Sequence, residues 1–158
     1  MEHGTSTRRD LLQSLGALSL ASMLAPTREV GAQTPPGKVD TKGLTAKIKF
    51  ESVLSGYLTE LNGKYKLRVT ELTLEPGGHV GEHNHLGPGI RLVTFGEMTY
   101  VLPEKTVIYK PGDFFFESGD VNHTVYNKGD KPNQHLLFEI LAADLQGPSL
   151  IPVKGKTH

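Results

Sequence analysis

Between Lys47 and about Leu145 the apolar residues alternate with polar ones at the period of strands, in short runs separated by turn residues. The breaks fall at Asn62-Gly63, Pro76-Gly77-Gly78, Gly96, Pro103-Glu104, Pro111-Gly112, Ser118-Gly119 and Lys128-Gly129-Asp130. The runs between them predict strands over 90–95, 97–102, 106–109, 114–117, 123–126 and 135–141. Asn62-Gly63 predicts a type I′ hairpin turn, which needs positive φ at both central residues. After it, Tyr65, Leu67 and Val69 share one parity while Leu72 and Leu74 take the other. That slip predicts a bulge near Thr70-Glu71. No segment beyond residue 33 keeps a period of 3.6, so the expected fold class is all-β, a sandwich or barrel with little helix.

Residues 1–32 follow a different rule. Arg8-Arg9 precede an apolar stretch from Leu11 to Ala25, and small residues follow at Val30-Gly31-Ala32. This is the order of a secretory signal, and the apolar stretch is too short to cross a bilayer comfortably. Thr7-Arg8-Arg9 followed by Leu11-Leu12 resembles a twin-arginine export signal. The resemblance implies a bacterial periplasmic or extracytoplasmic protein with no membrane anchor after cleavage. Residues 33–46 contain Thr34-Pro35-Pro36-Gly37 and Lys42-Gly43 with little periodicity, and read as a flexible or strand-swapping arm. Residues 47–145 form the expected barrel and 146–158 a C-terminal tail.

Seventeen basic residues balance 17 acidic ones, which argues against a nucleic-acid partner. There is no cysteine, so disulfides, thiolate ligands and thiol nucleophiles are excluded. No phosphate-binding glycine loop or nucleophile elbow appears. The chemistry left is that of the seven histidines.

His83 and His85, two apart on a strand, point to one side and can converge on one ion. A third ligand must come from another strand, and His123, at the head of His123-Val125-Asn127, is the candidate. Gly78-His79-Val80-Gly81-Glu82-His83-Asn84-His85 through Gly96 resembles the first cupin motif. Gly112 through His123, closing at Asn127, resembles the second, with Ser118 and Asp120 in place of its usual proline and glycine. The resemblance implies a double-stranded β-helix, or jelly-roll, barrel of the small bacterial cupin type. It also implies a divalent transition metal (Fe, Mn, Zn, Cu or Ni) held by His83, His85 and His123. The family's glutamate ligand falls at Gly89, so this chain can offer at most the three histidines from those positions.

The other polar candidates sort by parity. Glu82 should point away from the ion, and Glu97 should sit on an outer face. His79 is expected to be pocket-lining or exposed, and His135 to be solvated. Arg91 reaches the inner face only if the alternation survives Gly87-Pro88-Gly89; inward, it could anchor a substrate carboxylate through a bidentate pair. Phe95, Met98, Tyr100, Tyr109 and Phe114-Phe115-Phe116 are expected to be mostly barrel core.

Three functions fit these features. One is a dioxygenase-like metalloenzyme acting on a small organic molecule. Another is a non-catalytic periplasmic ligand-binding or sensor protein, metal-free or with a vestigial site. The third is an interaction protein whose arm swaps strands in a homodimer.

Overall fold

The computed structural model describes residues 37–153; the segment read from sequence as an export signal, the first part of the expected arm and the last residues of the tail lie outside them. The strands are β1 (Thr41–Val53), β2 (Tyr65–His85), β3 (Gly89–Phe95), β4 (Met98–Val101) and β5 (Thr106–Tyr109). They continue with β6 (Phe114–Glu117), β7 (His123–Tyr126), β8 (Asn133–Ala142) and β9 (Leu150–Pro152). A 3-10 turn at Thr59–Leu61 is the one helical element among the described residues. The strands form one antiparallel sheet in the order β5-β4-β7-β2-β8-β3-β6, curled into a half-barrel, with β1 and β9 also paired to β2.

The 21-residue strand β2 organises everything else. Its first half runs between β1 and β8, and its second half meets β1, β7 and β9. Residues 41–46, read from sequence as arm, are the start of β1, and 150–152, read as tail, are β9. Both are polar or Pro/Gly-punctuated sequences that become strands because β2 presents unpaired backbone on their side. Local pattern carries no trace of that.

Two local expectations fail, for identifiable reasons. Asn62 has φ −58° and ψ 125°, and Gly63 has φ 71°. This is a type II turn, in which only the second central residue needs positive φ. It is closed by Lys64 N–H donating to the Leu61 carbonyl at 3.1 Å, and the Asn62 amide donates to the Gly56 carbonyl at 3.0 Å. Nor is there a slip of β2 near Thr70-Glu71: its register with β8 is unbroken from Tyr65↔Ala142 to Leu74↔Asn133. The irregularity belongs to β1, between Ile48 and Phe50. From Tyr65 to Leu74 the even positions of β2 face inward, so Lys66 and Arg68 are buried together with Leu72 and Leu74. Two cations on an inner face defeat a reading by hydrophobic parity. They are tolerated because Glu51 Oε1 lies 3.1 Å from Lys66 Nζ and 2.5 Å from Arg68 Nε. The carbonyls of Leu145 and Gly147 accept their other protons.

The apolar core is Val39, Leu74, Val80, Val93, Met98, Tyr100 and Val125, with Leu44, Leu102, Tyr109, Phe115 and Leu150 against it. Phe95, Phe114 and Phe116 are exposed instead, contrary to the expected core. In β6 the odd positions face inward, which places Phe115 and Glu117 inside and its other two phenylalanines outside.

Candidate metal centre

Two strands deliver the histidines. β2 carries His83 and His85 at inward positions, and β7 places His123 directly opposite His83 in register. A register shift between Val80 and His83 turns His79 off this face; it is half-buried and bonded to Asp40 at 2.9 Å. Glu82 and Glu97 are exposed, as their parity predicts. The ligand atoms of His83, His85 and His123 all lie within 4.8 Å of one another, and all three side chains are buried. These residues could hold a metal ion.

Hydrogen bonds determine which nitrogens are free. His83 Nδ1 is 2.7 Å from the Gly81 carbonyl and His123 Nδ1 is 3.1 Å from the Val121 carbonyl, each of which can only accept. Their Nδ1 atoms therefore carry the protons, and their Nε2 atoms present lone pairs. His85 Nδ1 lies 3.3 Å from Glu139 Oε1 and 3.3 Å from Ser149 Oγ, which selects the same tautomer. Fixing Nδ1 in this way is how outer partners orient metal-binding imidazoles. The Nε2 atoms of His83 and His123 are buried without a hydrogen-bond partner, a costly state that an ion accepting both lone pairs would relieve.

The charges agree with that donor set. Burial, helped by the neighbouring His123 and His85, holds the His83 pKa down to about 2. Burial likewise lowers His123 to about 4, although Glu117 opposes the shift. Both imidazoles are therefore neutral at pH 7, the form that binds metals.

The structure also brings in groups that sequence reading missed. Arg91 does face inward, and its guanidinium donates to His135 Nε2 at 2.7 Å and to His85 Nε2 at 3.2 Å. His135, expected to be solvated, is buried: β8 turns Asn133, His135, Leu137, Glu139 and Leu141 inward. Burial, with the Arg91 charge beside it, depresses the His135 pKa well below 6.5. Glu117 on β6 is buried too, with Oε1 at 3.4 Å from His123 Nε2 and Oε2 at 3.7 Å from His85 Nε2. Burial alone would raise its pKa, but Arg91, His85 and His123 hold it down to about 2. Tyr100 donates its hydroxyl to Glu117 Oε1 at 2.8 Å, and burial and that carboxylate push the phenol's pKa up.

The alternation of β6 could have exposed Glu117 to view, since Phe115 and Glu117 share a face. For Glu139 no signal existed: in β8 both parities are apolar, Leu137 and Leu141 on one side, Leu136, Phe138 and Ile140 on the other.

A cavity of about 630 Å³ reaches the site at His85, Arg91 and Glu139. Its wall includes Leu44, Ala46, Ile48, Leu72 and Leu137, and its polar lining includes Arg68, His85, Arg91 and Glu139. The size and the mostly apolar lining suit a small organic molecule.

Comparison with known proteins agrees with the architecture. Residues 70–138 match the cupin domain family. A cupin-like protein from Thermotoga maritima shares 24% identity and superimposes with a TM-score of 0.51, over 68% of this chain and 76% of that one. The polyketide cyclase RemF from Streptomyces resistomycificus shares 18% identity with a TM-score of 0.50, over 71% of this chain and 83% of that one. No protein of curated function matches the sequence. The curled sheet and the segment matched over residues 70–138 together give the chain a cupin-type fold and support its reading as a small cupin-domain protein.

Proposed function

We propose that this is an exported cupin that binds one divalent transition metal through His83, His85 and His123 and acts as a dioxygenase on a small, largely apolar molecule. The observation that carries the reading is the convergence of three buried imidazoles, two with unpartnered Nε2 lone pairs and the third, His85, lining a cavity of about 630 Å³. An ion of the Fe, Mn, Zn, Cu or Ni class suits an imidazole-rich donor set, and Fe or Mn bound there with open positions supplies a meeting point for dioxygen and substrate.

The rest is done by the chain. Gly81, Val121 and Glu139 hold the imidazole tautomers. Leu72, Leu137 and the β1 side chains Leu44 and Ile48 exclude water and receive the apolar body of the substrate. Arg91 lines the same cavity, where its guanidinium offers a substrate carboxylate a charge-assisted partner in competition with Glu117.

Export is supported by the signal-like sequence over residues 1–32, which favours a periplasmic or extracytoplasmic location. A second copy is the expected partner: Ile90, Phe114, Phe116 and Ile140 leave an apolar outer face on β3, β6 and β8, and light scattering at micromolar concentration reads the resulting dimer mass.

A non-catalytic ligand carrier is the second reading. What favours it is the Arg91 guanidinium 3.2 Å from His85 Nε2, on the side an ion would use. Oxygen uptake by the metal-loaded protein over a panel of phenols, thiols and diketones separates the two. Substrate-dependent uptake that disappears in His85→Ala supports the dioxygenase; ligand binding without uptake across the panel supports the carrier.

A further inference from the structure

The position at which a cupin usually carries its glutamate ligand is closed in this chain by packing, not merely by sequence. A Cβ on Gly89 would lie 2.7 Å from the Phe138 carbonyl oxygen and 3.1 Å from Leu137 Cδ1. It would also lie 3.3 Å from Glu139 Cγ. Any side chain there needs β3 and β8 to move apart. Yet Gly89 stands between two carboxylates, because its cross-strand partners are Glu117 on β6 and Glu139 on β8. Strand pairing puts both on the inner face, one on each side of Gly89.

The two carboxylates do different things. Glu139 addresses the Nδ1 side of His85 and accepts the hydroxyl proton of Ser149, so its oxygens serve the back of the imidazole. Glu117 faces the other side. Its oxygens lie 3.4 Å from His123 Nε2 and 3.7 Å from His85 Nε2, the nitrogens whose lone pairs converge. A carboxylate oxygen facing an imidazole lone pair is repulsive unless a cation lies between them. Arg91 satisfies this only in part: its Nε is 2.8 Å from Glu117 Oε2, but the N–H is aimed off the oxygen, and neither atom completes a hydrogen bond. Tyr100 fixes the other oxygen of Glu117, as an outer hydrogen bond orients a ligating carboxylate.

Resting on the three-histidine reading, we infer that Glu117 supplies the fourth protein ligand of the metal centre, taking over from β6 the role that Gly89 cannot fill. The donor set becomes three neutral imidazoles and one carboxylate. Its negative charge offsets part of the ion's charge in a buried site.

Cobalt(II) titration of the metal-free full chain tests this, because the visible d–d absorption of the ion reports the number and kind of its ligands. Wild type should bind one cobalt, and His83→Ala should not. Glu117→Gln should bind more weakly by at least about tenfold and show a different band shape and intensity. Glu139→Gln should weaken binding while keeping the wild-type band. A Glu117→Gln spectrum that matches wild type overturns the fourth ligand and leaves the histidine centre standing. Absence of cobalt binding in wild type, or unchanged binding in His83→Ala, overturns the centre itself. If Glu117→Gln fails to fold because Arg91 loses its counter-charge, the Glu117→Gln/Arg91→Gln pair is read against Arg91→Gln alone. A crystal of the zinc-loaded wild type needs no variant: a Glu117 oxygen at about 2.0–2.2 Å from the ion supports the assignment, and one beyond about 3 Å overturns it.

Discussion

The interior of the half-barrel has two regions built on the same strands. At one end Leu74, Val93, Met98 and Val125 are almost completely buried in an apolar cluster that includes Tyr100. At the other end Lys66, Arg68, His85, Arg91, Glu117, His135 and Glu139 are buried to a comparable degree. The first region lowers the free energy of the fold by removing hydrocarbon from water, at roughly 25 cal/mol per Å². The second is held against a desolvation penalty by mutual pairing, and such pairing seldom exceeds that penalty. Strand β2 passes through both, with Lys66 and Arg68, then Leu72 and Leu74, then His83 and His85 on its inner face. The apolar end supports the fold, and the polar end carries the histidines that could hold a metal.

The contrast can be broken at either end. The largest effect is expected on metal content: His83→Ala should lose the bound ion altogether while its circular dichroism stays that of a folded sheet. Arg91→Met leaves Glu117 buried without its counter-charge and should cost about 3–5 kcal/mol by urea denaturation. Adding Glu117→Gln to that variant should recover much of the loss, since both charges are then gone. At the apolar end Leu74→Ala should cost about 2–5 kcal/mol with metal stoichiometry unchanged. Acid produces the most gradual change. The folded pKa values of His83, His123 and His135 lie below 6.5, and that of Glu117 below 4.5, so the unfolded chain binds more protons than the folded one. Stability of the metal-free protein should therefore be full above about pH 6.5 and fall as the pH drops, with Glu117 adding to the loss from pH 4.5 towards 2. Thermal melts across that range read it, and a melting temperature that rises on acidification would contradict the assignment.

The two regions also differ in how far the sequence disclosed them. The strands at 106–109, 114–117 and 123–126 were legible to the residue, because turn residues bound them and alternation fills them. The three histidines were legible because two share a strand parity and the third begins an alternating run. What stayed hidden is what depends on neighbours. Lys66, Arg68 and Glu139 are inside because partners from distant segments (Glu51, the carbonyls of Leu145 and Gly147, Ser149) satisfy them there. His135 is inside because Arg91 meets it across β3 and β8. Gly89 read as a lost ligand; only the strand pairing reveals carboxylates on both sides of it.

The central claim is that His83, His85 and His123 form a metal centre, and elemental analysis of the purified protein tests it most directly. The account predicts about one transition-metal ion per wild-type chain, and none in a folded His83→Ala/His123→Ala variant. A wild-type protein without stoichiometric metal, or a double variant that retains it, would contradict the account.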